Sequence, residues 1–309
     1  MELKKLLRAG GRYLTSPDYR FLVNAGLGFY DRMPDEAYLR RYFRAAMGKE
    51  LDLEHPQTFN EKCQWLKLHD RKPEYTKMVD KIEAKKYVAS ILGEEYIIPT
   101  LGVWDSPDEI DFDALPEQFV LKCSHDSGGL VIVRNKAEID QSAVRKILKK
   151  RISHNFYFHA REWAYKDVIP KILAEKYMED HVTSSLVDYK FFNFDGESKF
   201  VYCSVGLENH KTAQISFFDL DGREMPFHRL DFKPFGSFNG FPPNFREMID
   251  ISNALAAAIH SPFVRIDLYS INGKTYFSEI TFTPCAGCLP FEPPEWDFEL
   301  GSWIKLPAK

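Results

Sequence analysis

The hydrophobic and polar positions change their pattern near residue 99, from one typical of helices to one typical of strands. The first seventy residues, rich in Arg, Tyr and Phe, have a helical pattern, and residues 75–92 contain another predicted helix. Thr58 and Glu61 stand at the spacing of a capping box, which predicts a helix start there. We therefore expect an α+β protein with a helical N-terminal region.

Short stretches after Pro99 predict a series of strands, several of them ending in Asp-Gly turns. They are LGVW, QFVLKCS, GGLVIV, KILAEKYM, LVDYKFFNFDG, SKFVYCSV and AQISFFDLDG. Helices are predicted from about Gln141 to Ile152 and over residues 245–260.

Residues 265–283, RIDLYSINGKTYFSEITFT, predict a hairpin around an Asn-Gly pair. A two-residue turn would pair Ile271 with Lys274 and would put Asp267 and Glu279 on opposite faces. A three-residue loop would instead set Asp267 directly opposite Glu279. One face would then carry Arg265, Asp267, Glu279 and Thr281. We favour the three-residue loop because it separates polar from apolar positions.

Two acids that face each other across a strand pair raise each other's pKa unless a cation lies between them. Oxygen ligands without Cys or His suit Mg²⁺, which takes one or two carboxylates and completes its shell with water and phosphate. A solvated edge hairpin with ordinary surface acids explains the same residues equally well. The hairpin alone leaves both interpretations open.

The composition sets limits on the class of protein. A chain of 309 residues with 44% hydrophobic and 15% aromatic content can build a large core, divided into two or three lobes. The net charge of −4 gives no general reason to bind nucleic acid. The segment MELKKLLRAGGRYL could touch an anionic membrane surface, but a solvated helix is the favoured interpretation.

The lack of a secretory or membrane-spanning pattern and the use of cysteine predict a cytoplasmic location. No apolar run approaches the roughly 20 residues needed to span a bilayer, and charges interrupt every apolar stretch near the N-terminus. The five cysteines form no disulfide-type framework, which fits a reducing compartment. The CAGC segment that ends at Cys288 lacks the two further ligands of a structural zinc site, so we expect incidental thiols in a turn.

Three further stretches combine strands with polar groups. FVLKCSHDSGGLVIV joins two strands by a Gly-containing loop near Lys122, a combination that suits phosphate but is more often structural. ILAEKYMED offers exposed backbone between apolar side chains, as an adenine pocket would, or is a plain strand end. LVDYKFFNFDG puts Asp188 and Lys190 on one strand face, where a solvent-exposed ion pair is the simpler interpretation.

In this order, these stretches and the hairpin resemble the ATP-grasp superfamily and are most similar to its TupA-like branch, named for teichuronopeptide biosynthesis. The resemblance runs from about His55 to Leu306. It is carried by HPQTFNEKCQWLKLHDRKPEYTKMVDK, LPEQFVLKCSHDSGG, DYKFF, VRIDLYSINGKTYFSEITFTP and LGSWIKLP. It implies two α+β lobes with a nucleotide cleft between them, divided here as residues 1–70, 71–172 and 173–309.

The resemblance also implies roles for individual residues. Asp267 and Glu279 would bind Mg²⁺, and Thr281 stands where many ATP-grasp enzymes have a metal-binding Asn. Lys190 and Arg265 would neutralise phosphate or an acyl-phosphate. ATP would contact the lid and the adenine strand through Lys81, Lys122, Ser124, Ser127, Gly128, Gly129, Glu175, Lys176, Tyr177 and Met178. The lid sequence KCSHDSGG departs from the Asn-His-Gly more usual in this branch.

The implied activity is an ATP- and Mg²⁺-dependent ligase that joins a carboxylate to an amine through an acyl-phosphate. The branch implies amidation of a uronic-acid sugar of a bacterial surface polysaccharide by an amino acid or amine, with peripheral contact to membrane-bound machinery. Two Asp-x-Asp segments, Asp111-Phe-Asp113 and Asp219-Leu-Asp221, favour turns but leave a glycosyltransferase as the alternative. A kinase or a non-catalytic ATP-binding scaffold are further alternatives.

Overall fold

The N-terminal region of the protein is helical, as predicted. The structure, a computed structural model, describes residues 10–126, 129–181, 186–206, 212–238 and 240–308. The first helices are α1 (Pro17–Gly26), α2 (Asp35–Met47) and α3 (Phe59–His69). The predicted capping box starts α3: the Thr58 hydroxyl accepts the amide of Glu61, whose carboxylate accepts the amide of Thr58. This reciprocal pairing satisfies two amide groups that a helix end leaves unbonded.

Residues 75–92 form two helices, because the chain breaks at Asp80. They are α4 (Tyr75–Val79) and α5 (Lys81–Leu92). The backbone of Asp80 is extended, and its carboxylate accepts the amides of Ile82 and Glu83, which makes it the N-cap of α5. The break places Lys81 at the first position of the second helix.

A four-stranded antiparallel sheet forms the first lobe, in the order β1-β4-β2-β3. Its elements are β1 (Thr100–Trp104), β2 (Phe119–Cys123), β3 (Val131–Val133), α6 (Gln141–Ile152), α7 (Tyr157–Ala160) and β4 (Ile172–Lys176). One face packs its apolar residues against Val144 and Leu148 of α6. β4 begins at the predicted boundary at residue 172 but pairs with β1 and β2; the division into three domains stays a prediction.

A five-stranded antiparallel sheet forms the second lobe, in the order β10-β9-β5-β6-β7. Its elements are β5 (Asp188–Phe194), β6 (Glu197–Val205), β7 (Gln214–Asp219), β8 (His228–Arg229), α8 (Phe245–Ile259), β9 (Phe263–Ile271), β10 (Lys274–Thr281), β11 (Phe291–Glu292) and α9 (Glu295–Trp303). The helix α8 covers one face through a core that includes Leu255, Ile266 and Ile280. Phe59 of α3 packs on the opposite face, 4.9 Å from the ring of Phe263. In the described part of the chain, no helix is long and apolar enough to cross a bilayer.

The β9–β10 hairpin turns in two residues, so the predicted three-residue loop is wrong. Lys274 pairs with Ile271, and Asn272 and Gly273 both have positive φ values, 52° and 74°. Two positive φ values define the type I′ turn, which matches the natural twist of a hairpin. Asn272 also fixes the turn to the segment after β4, because its amide donates to Asp180 and its side chain accepts the amide of His181.

A β-bulge in β10 brings Asp267 and Glu279 back to the same face, although a two-residue turn alone would put them on opposite faces. Phe277 pairs with Leu268, but the next pair on the ladder is Glu279 with Asp267, which leaves Ser278 as an extra residue. The bulge moves every later position of β10 to the other face. Asp267 therefore faces Glu279, as predicted, for a different structural reason.

The type I′ turn gives a prediction for the Gly273→Ala substitution. No atom lies within 4 Å of an added Cβ, so the cost comes from the left-handed backbone alone. We expect the free energy of unfolding to fall by about 1 kcal/mol in a urea titration. Gly236→Ala is the matched control, since Gly236 also has open space around its Cβ position but no left-handed φ. An equal effect of both substitutions would contradict the assignment.

Candidate active site

Asp267 is the centre of a buried charge cluster on the face of the five-stranded sheet opposite α8. Its side chain is 1% exposed, and both of its oxygens are occupied. Arg265 Nε lies 2.6 Å from Oδ1, and Arg265 Nη2 donates to Oδ2 at 2.7 Å. Lys190 Nζ donates to Oδ2 at 3.0 Å. Strand register produces the cluster, because Lys190 of β5 lies directly across from Asp267 of β9.

All members of this cluster are charged. Burial would lower the pKa of Lys190, but the carboxylates of Asp188, 3.1 Å away, and Asp267 raise it above its usual range. Burial would raise the pKa of Asp267, but Arg265 and Lys190 hold it below the usual range. The predicted Asp188–Lys190 pair is therefore part of a largely buried network rather than a solvated surface pair.

Glu279 and Thr281 lie along the same face, next to the guanidinium of Arg265. Arg265 Nη2 donates to Thr281 Oγ1 at 3.0 Å and lies 3.9 Å from Glu279 Oε2. The Glu279 side chain is 25% exposed, far more than that of Asp267. A protein cation thus lies near both facing acids, which relieves their mutual repulsion.

The oxygen donors on this face suit Mg²⁺ in their chemistry. No group of three or more His, Cys, Asp or Glu side chains in the described part of the chain is placed to hold a metal ion. Mg²⁺ does not need such a group, since one or two carboxylates are enough when water and phosphate complete the shell. Asp267 and Glu279 would be the two carboxylates, and Thr281 would add a hydroxyl. Because both oxygens of Asp267 already accept from Arg265 or Lys190, Glu279 is the acid least committed to protein cations.

Glu175 forms a second ionic centre on the face of the four-stranded sheet opposite α6. Its side chain is 6% exposed and is paired with Lys122, whose Nζ lies 2.5 Å from Oε2, and with Lys85. Burial favours the neutral acid, but the ammonium groups of Lys122 and Lys85 hold the pKa of Glu175 at about 2. Lys85 also donates to the carbonyl of Ile98 at 2.8 Å and to the hydroxyl of Thr100 at 3.1 Å.

Lys85 was not among the predicted site residues, whereas Lys81, one helical turn earlier on α5, was. Residues four apart share a helix face, so the spacing of the two lysines was an available signal. Lys81 Nζ donates instead to the carbonyl of Asp126 in the lid at 2.5 Å. The two lysines therefore contact different parts of the lobe.

The other predicted nucleotide-binding residues lie along the lid and the end of β4. Ser124 is fully buried, and its hydroxyl accepts the amide of Lys171 at 3.2 Å. Gly129 has a φ of 66°. Ser127 and Gly128 lie outside the described residues.

Past the lid, β4 ends at Lys176, whose side chain is exposed and whose amide donates to the carbonyl of Pro99 at 2.9 Å. The Tyr177 hydroxyl accepts from Arg134 Nε at 3.3 Å, and Met178 is half-buried. The predicted adenine segment therefore follows directly from the strand that carries Glu175.

A cavity of about 330 Å³ adjoins the hairpin. Arg265, Glu279 and Thr281 form one wall. The lining also includes Glu162 and His159, from the aromatic stretch NFYFHAREWAY, which were not among the predicted site residues. The only feature of the sequence that could have pointed to this part of the cavity is the single acid, Glu162, within the aromatic run.

The two Asp-x-Asp segments are turn structures. Asp219 Oδ1 accepts the amides of Asp221 and Arg223 at 2.9 and 2.8 Å. Asp111 Oδ1 accepts the amides of Asp113 and Ala114 at 3.0 and 3.3 Å. The first Asp of each segment is thus occupied by local backbone, as the preference for turns predicted.

The structure thus has a four-stranded and a five-stranded antiparallel sheet, each with a buried ionic cluster, and a hairpin that carries two facing acids. The sequence profile of the TupA-like ATP-grasp family matches residues 61–305. Because this match covers well over half of the 309 residues, the chain belongs to the TupA-like ATP-grasp family. A comparison with curated protein sequences gave no match.

Solved structures similar to this chain include several ligases at low identity. The D-alanine–D-alanine ligase of Helicobacter pylori is 15% identical, with a TM-score of 0.42, over 80% of this chain and 69% of that one. The corresponding ligase of Bacillus anthracis, complexed with ATP, is 14% identical, with a TM-score of 0.38, over 72% and 55%. The L-amino acid ligase of Bacillus licheniformis is 14% identical, with a TM-score of 0.39, over 72% and 47%. This chain spans little more than half the length of the B. anthracis ligase.

The ion pairs of Glu175 give a prediction for Glu175→Gln. The substitution leaves Lys85, whose side chain is 10% exposed, without its anion. We expect the free energy of unfolding at pH 7 to fall by about 3 kcal/mol in a urea titration. A second substitution, Lys85→Met, should recover part of that loss, because it removes the unpaired charge.

The same variant has an expected pH dependence. The pKa of Glu175 is depressed from 4.5 to about 2. Its stabilising effect is therefore fully present above pH 4.5 and is lost as the pH falls towards 2. The difference in unfolding free energy between the native chain and Glu175→Gln should shrink over that window. A constant difference would contradict the ion-pair interpretation.

Proposed function

We propose that the chain is an ATP- and Mg²⁺-dependent ligase that joins a carboxylate to an amine through an acyl-phosphate. The observation that carries the proposal is the facing of Asp267 and Glu279 across the hairpin, with Arg265 and Lys190 on the same face and a cavity beside it. Membership of the ATP-grasp family supports it. The location of the reaction, by the same proposal, is the cytoplasm.

ATP would lie between the two charged faces. Adenine would contact the end of β4 next to Glu175, and the lysines beside it, Lys122 and Lys85, would approach the phosphates. The remaining contacts of the proposed nucleotide site are Lys81, Ser124, Ser127, Gly128, Gly129, Lys176, Tyr177 and Met178. Bound Mg²⁺, held by Asp267, Glu279 and Thr281, would offset the charge of the ATP oxygens.

The chain itself would act by positioning and electrostatics. A substrate carboxylate oxygen attacks the γ-phosphorus, and the bond to ADP breaks. Lys190 and Arg265 would stabilise the negative charge on the transferred group. The amine nitrogen then attacks the carbonyl carbon, phosphate leaves, and the amine loses a proton. The lid would exclude water, which would otherwise hydrolyse the acyl-phosphate.

For the substrate, we propose a uronic-acid sugar of a bacterial surface polysaccharide, amidated by an amino acid or amine. The support is the teichuronopeptide connection of the TupA-like branch. Contact with membrane-bound polysaccharide enzymes, if the sugar is lipid-linked, belongs to the same proposal.

Incubation of the chain with Mg²⁺, ATP and pooled uronic-acid sugars and amines tests the reaction. We expect ADP, phosphate and a new amide mass, all dependent on both substrate pools. ADP with a phosphorylated sugar and no amide would make the protein a kinase. Stabilisation by nucleotide sugars without any effect of Mg²⁺-ATP would contradict the ligase and favour a glycosyltransferase.

Glu279→Gln is the best test of the proposed site. Removing this charge should lower turnover by roughly 100-fold or more while the melting temperature without ATP stays near the native value. Asp267→Asn is unsuitable, because it would leave Arg265 and Lys190 buried without a shared anion. Asp221→Asn is the control: its side chain is 75% exposed, so turnover should be unchanged. Loss of turnover in the control would favour the Asp-x-Asp alternative.

A further inference from the structure

The cavity beside the hairpin has aromatic walls. Tyr42, Phe156 and Tyr165 line it. The rings of Phe156 and Tyr165 lie edge to face, with centroids 4.9 Å apart. His159 lies 6.1 Å from the ring of Tyr42 and 6.2 Å from that of Phe156, and burial lowers its pKa, so it is neutral at pH 7. The aromatic walls therefore bring no positive charge into the cavity.

Glu162 brings a carboxyl group into the same cavity. The residue is only 8% exposed. One carboxylate oxygen accepts a hydrogen bond from the Thr283 hydroxyl. Among the described residues, Thr283 is the only hydrogen-bond donor to this carboxylate. The second oxygen is left for a group that enters the cavity.

Lys67 interacts electrostatically with Glu162, but its ammonium group makes its hydrogen bonds to other residues. It donates to Gln64 Oε1 at 3.0 Å and to the carbonyls of Ala160 and Ala286 at 2.9 and 2.7 Å. These three bonds use its three protons. Burial raises the pKa of Glu162, and the charge of Lys67 only partly opposes this effect.

The guanidinium of Arg265 does not form an ion pair with Glu162 either. It is paired with Asp267 through two hydrogen bonds and donates to Thr281. Glu279 adds a second carboxylate to the wall. The cavity thus combines two carboxylates, aromatic rings and no uncommitted cation among the described residues. This combination is typical of sites that recognise an ammonium group.

We propose that this cavity binds the amine substrate in its ammonium form, with Glu162 as the anion that receives it and the rings of Tyr42, Phe156 and Tyr165 as its walls. The inference rests on the proposed ligase function, and it assigns the cavity to the amine rather than to the carboxylate substrate. The ammonium donates to the free oxygen of Glu162, close to Glu279 and therefore to the proposed site of the acyl-phosphate. A free carboxylate is repelled from the same cavity.

Three small probes of equal length test the charge preference: n-propylammonium, n-propanol and propionate. Each is titrated against the full chain without nucleotide, with binding followed by saturation-transfer difference NMR. We expect n-propylammonium to bind roughly tenfold or more tightly than n-propanol, because a hydrogen bond to a charged partner is the stronger one. Propionate should not bind. Equal binding of propionate and n-propylammonium would overturn the proposal.

Variants assign the preference to the cavity. Glu162→Gln should weaken n-propylammonium binding roughly tenfold or more, since it removes the anion but keeps an oxygen for Thr283. Phe156→Leu should weaken it severalfold, because the cation loses an aromatic face. Glu117→Gln is the matched control: it makes the same charge change on an exposed side chain outside the cavity and should leave binding unchanged. Unchanged binding in Glu162→Gln would overturn the assignment.

The same samples separate this inference from the ligase proposal. Thermal stabilisation by Mg²⁺-ATP reports the nucleotide site, and n-propylammonium binding reports the cavity. Stabilisation by Mg²⁺-ATP without ammonium binding would overturn the inference alone. Ammonium binding without any effect of Mg²⁺-ATP would overturn the ligase proposal alone.

Discussion

The burial of one carboxylate between two cations is the interaction on which the rest of the site depends. Asp267 is almost fully removed from water and is stable as an anion only because Arg265 and Lys190 hold it. Satisfying it requires β5 and β9 to pair in one register. The pairing of β10 with β9, including its bulge, then places Glu279 opposite Asp267. The charges are therefore arranged before any substrate arrives, as electrostatic catalysis requires.

The hairpin shows what the alternation of polar and apolar residues can and cannot predict. The alternation of polar and apolar residues correctly implied that Asp267 faces Glu279. It could not tell where the extra residue sits, because an additional residue in the loop and one in the strand shift the later register equally. The Asn-Gly pair had already favoured the short turn, through its tolerance of positive φ. Local turn chemistry was the better guide to loop length than the strand pattern.

Local patterns found the strands, the capping box and the α6 and α8 helices, since each depends on neighbouring residues. The site was only partly predictable, because its members come from distant segments. Lys122 and Glu175 were identified through resemblance, but their ion pair and its third member, Lys85, depend on how α5 packs against the sheet. Glu162 was harder still to predict. A single acid in an aromatic run becomes a candidate only once the fold shows that it bonds Thr283 and shares a cavity with the hairpin.

The buried cluster also limits how such a chain can diverge. Arg265, Lys190, Asp188 and Asp267 contain two positive and two negative charges, so the loss of any one leaves an uncompensated ion in a largely dry place. These four positions can change only through paired substitutions. Thr281 carries no formal charge and can be exchanged on its own. A substitution at Thr281 is thus the kind of change that the architecture permits at lowest cost, and lineages of this fold should vary first at such uncharged positions.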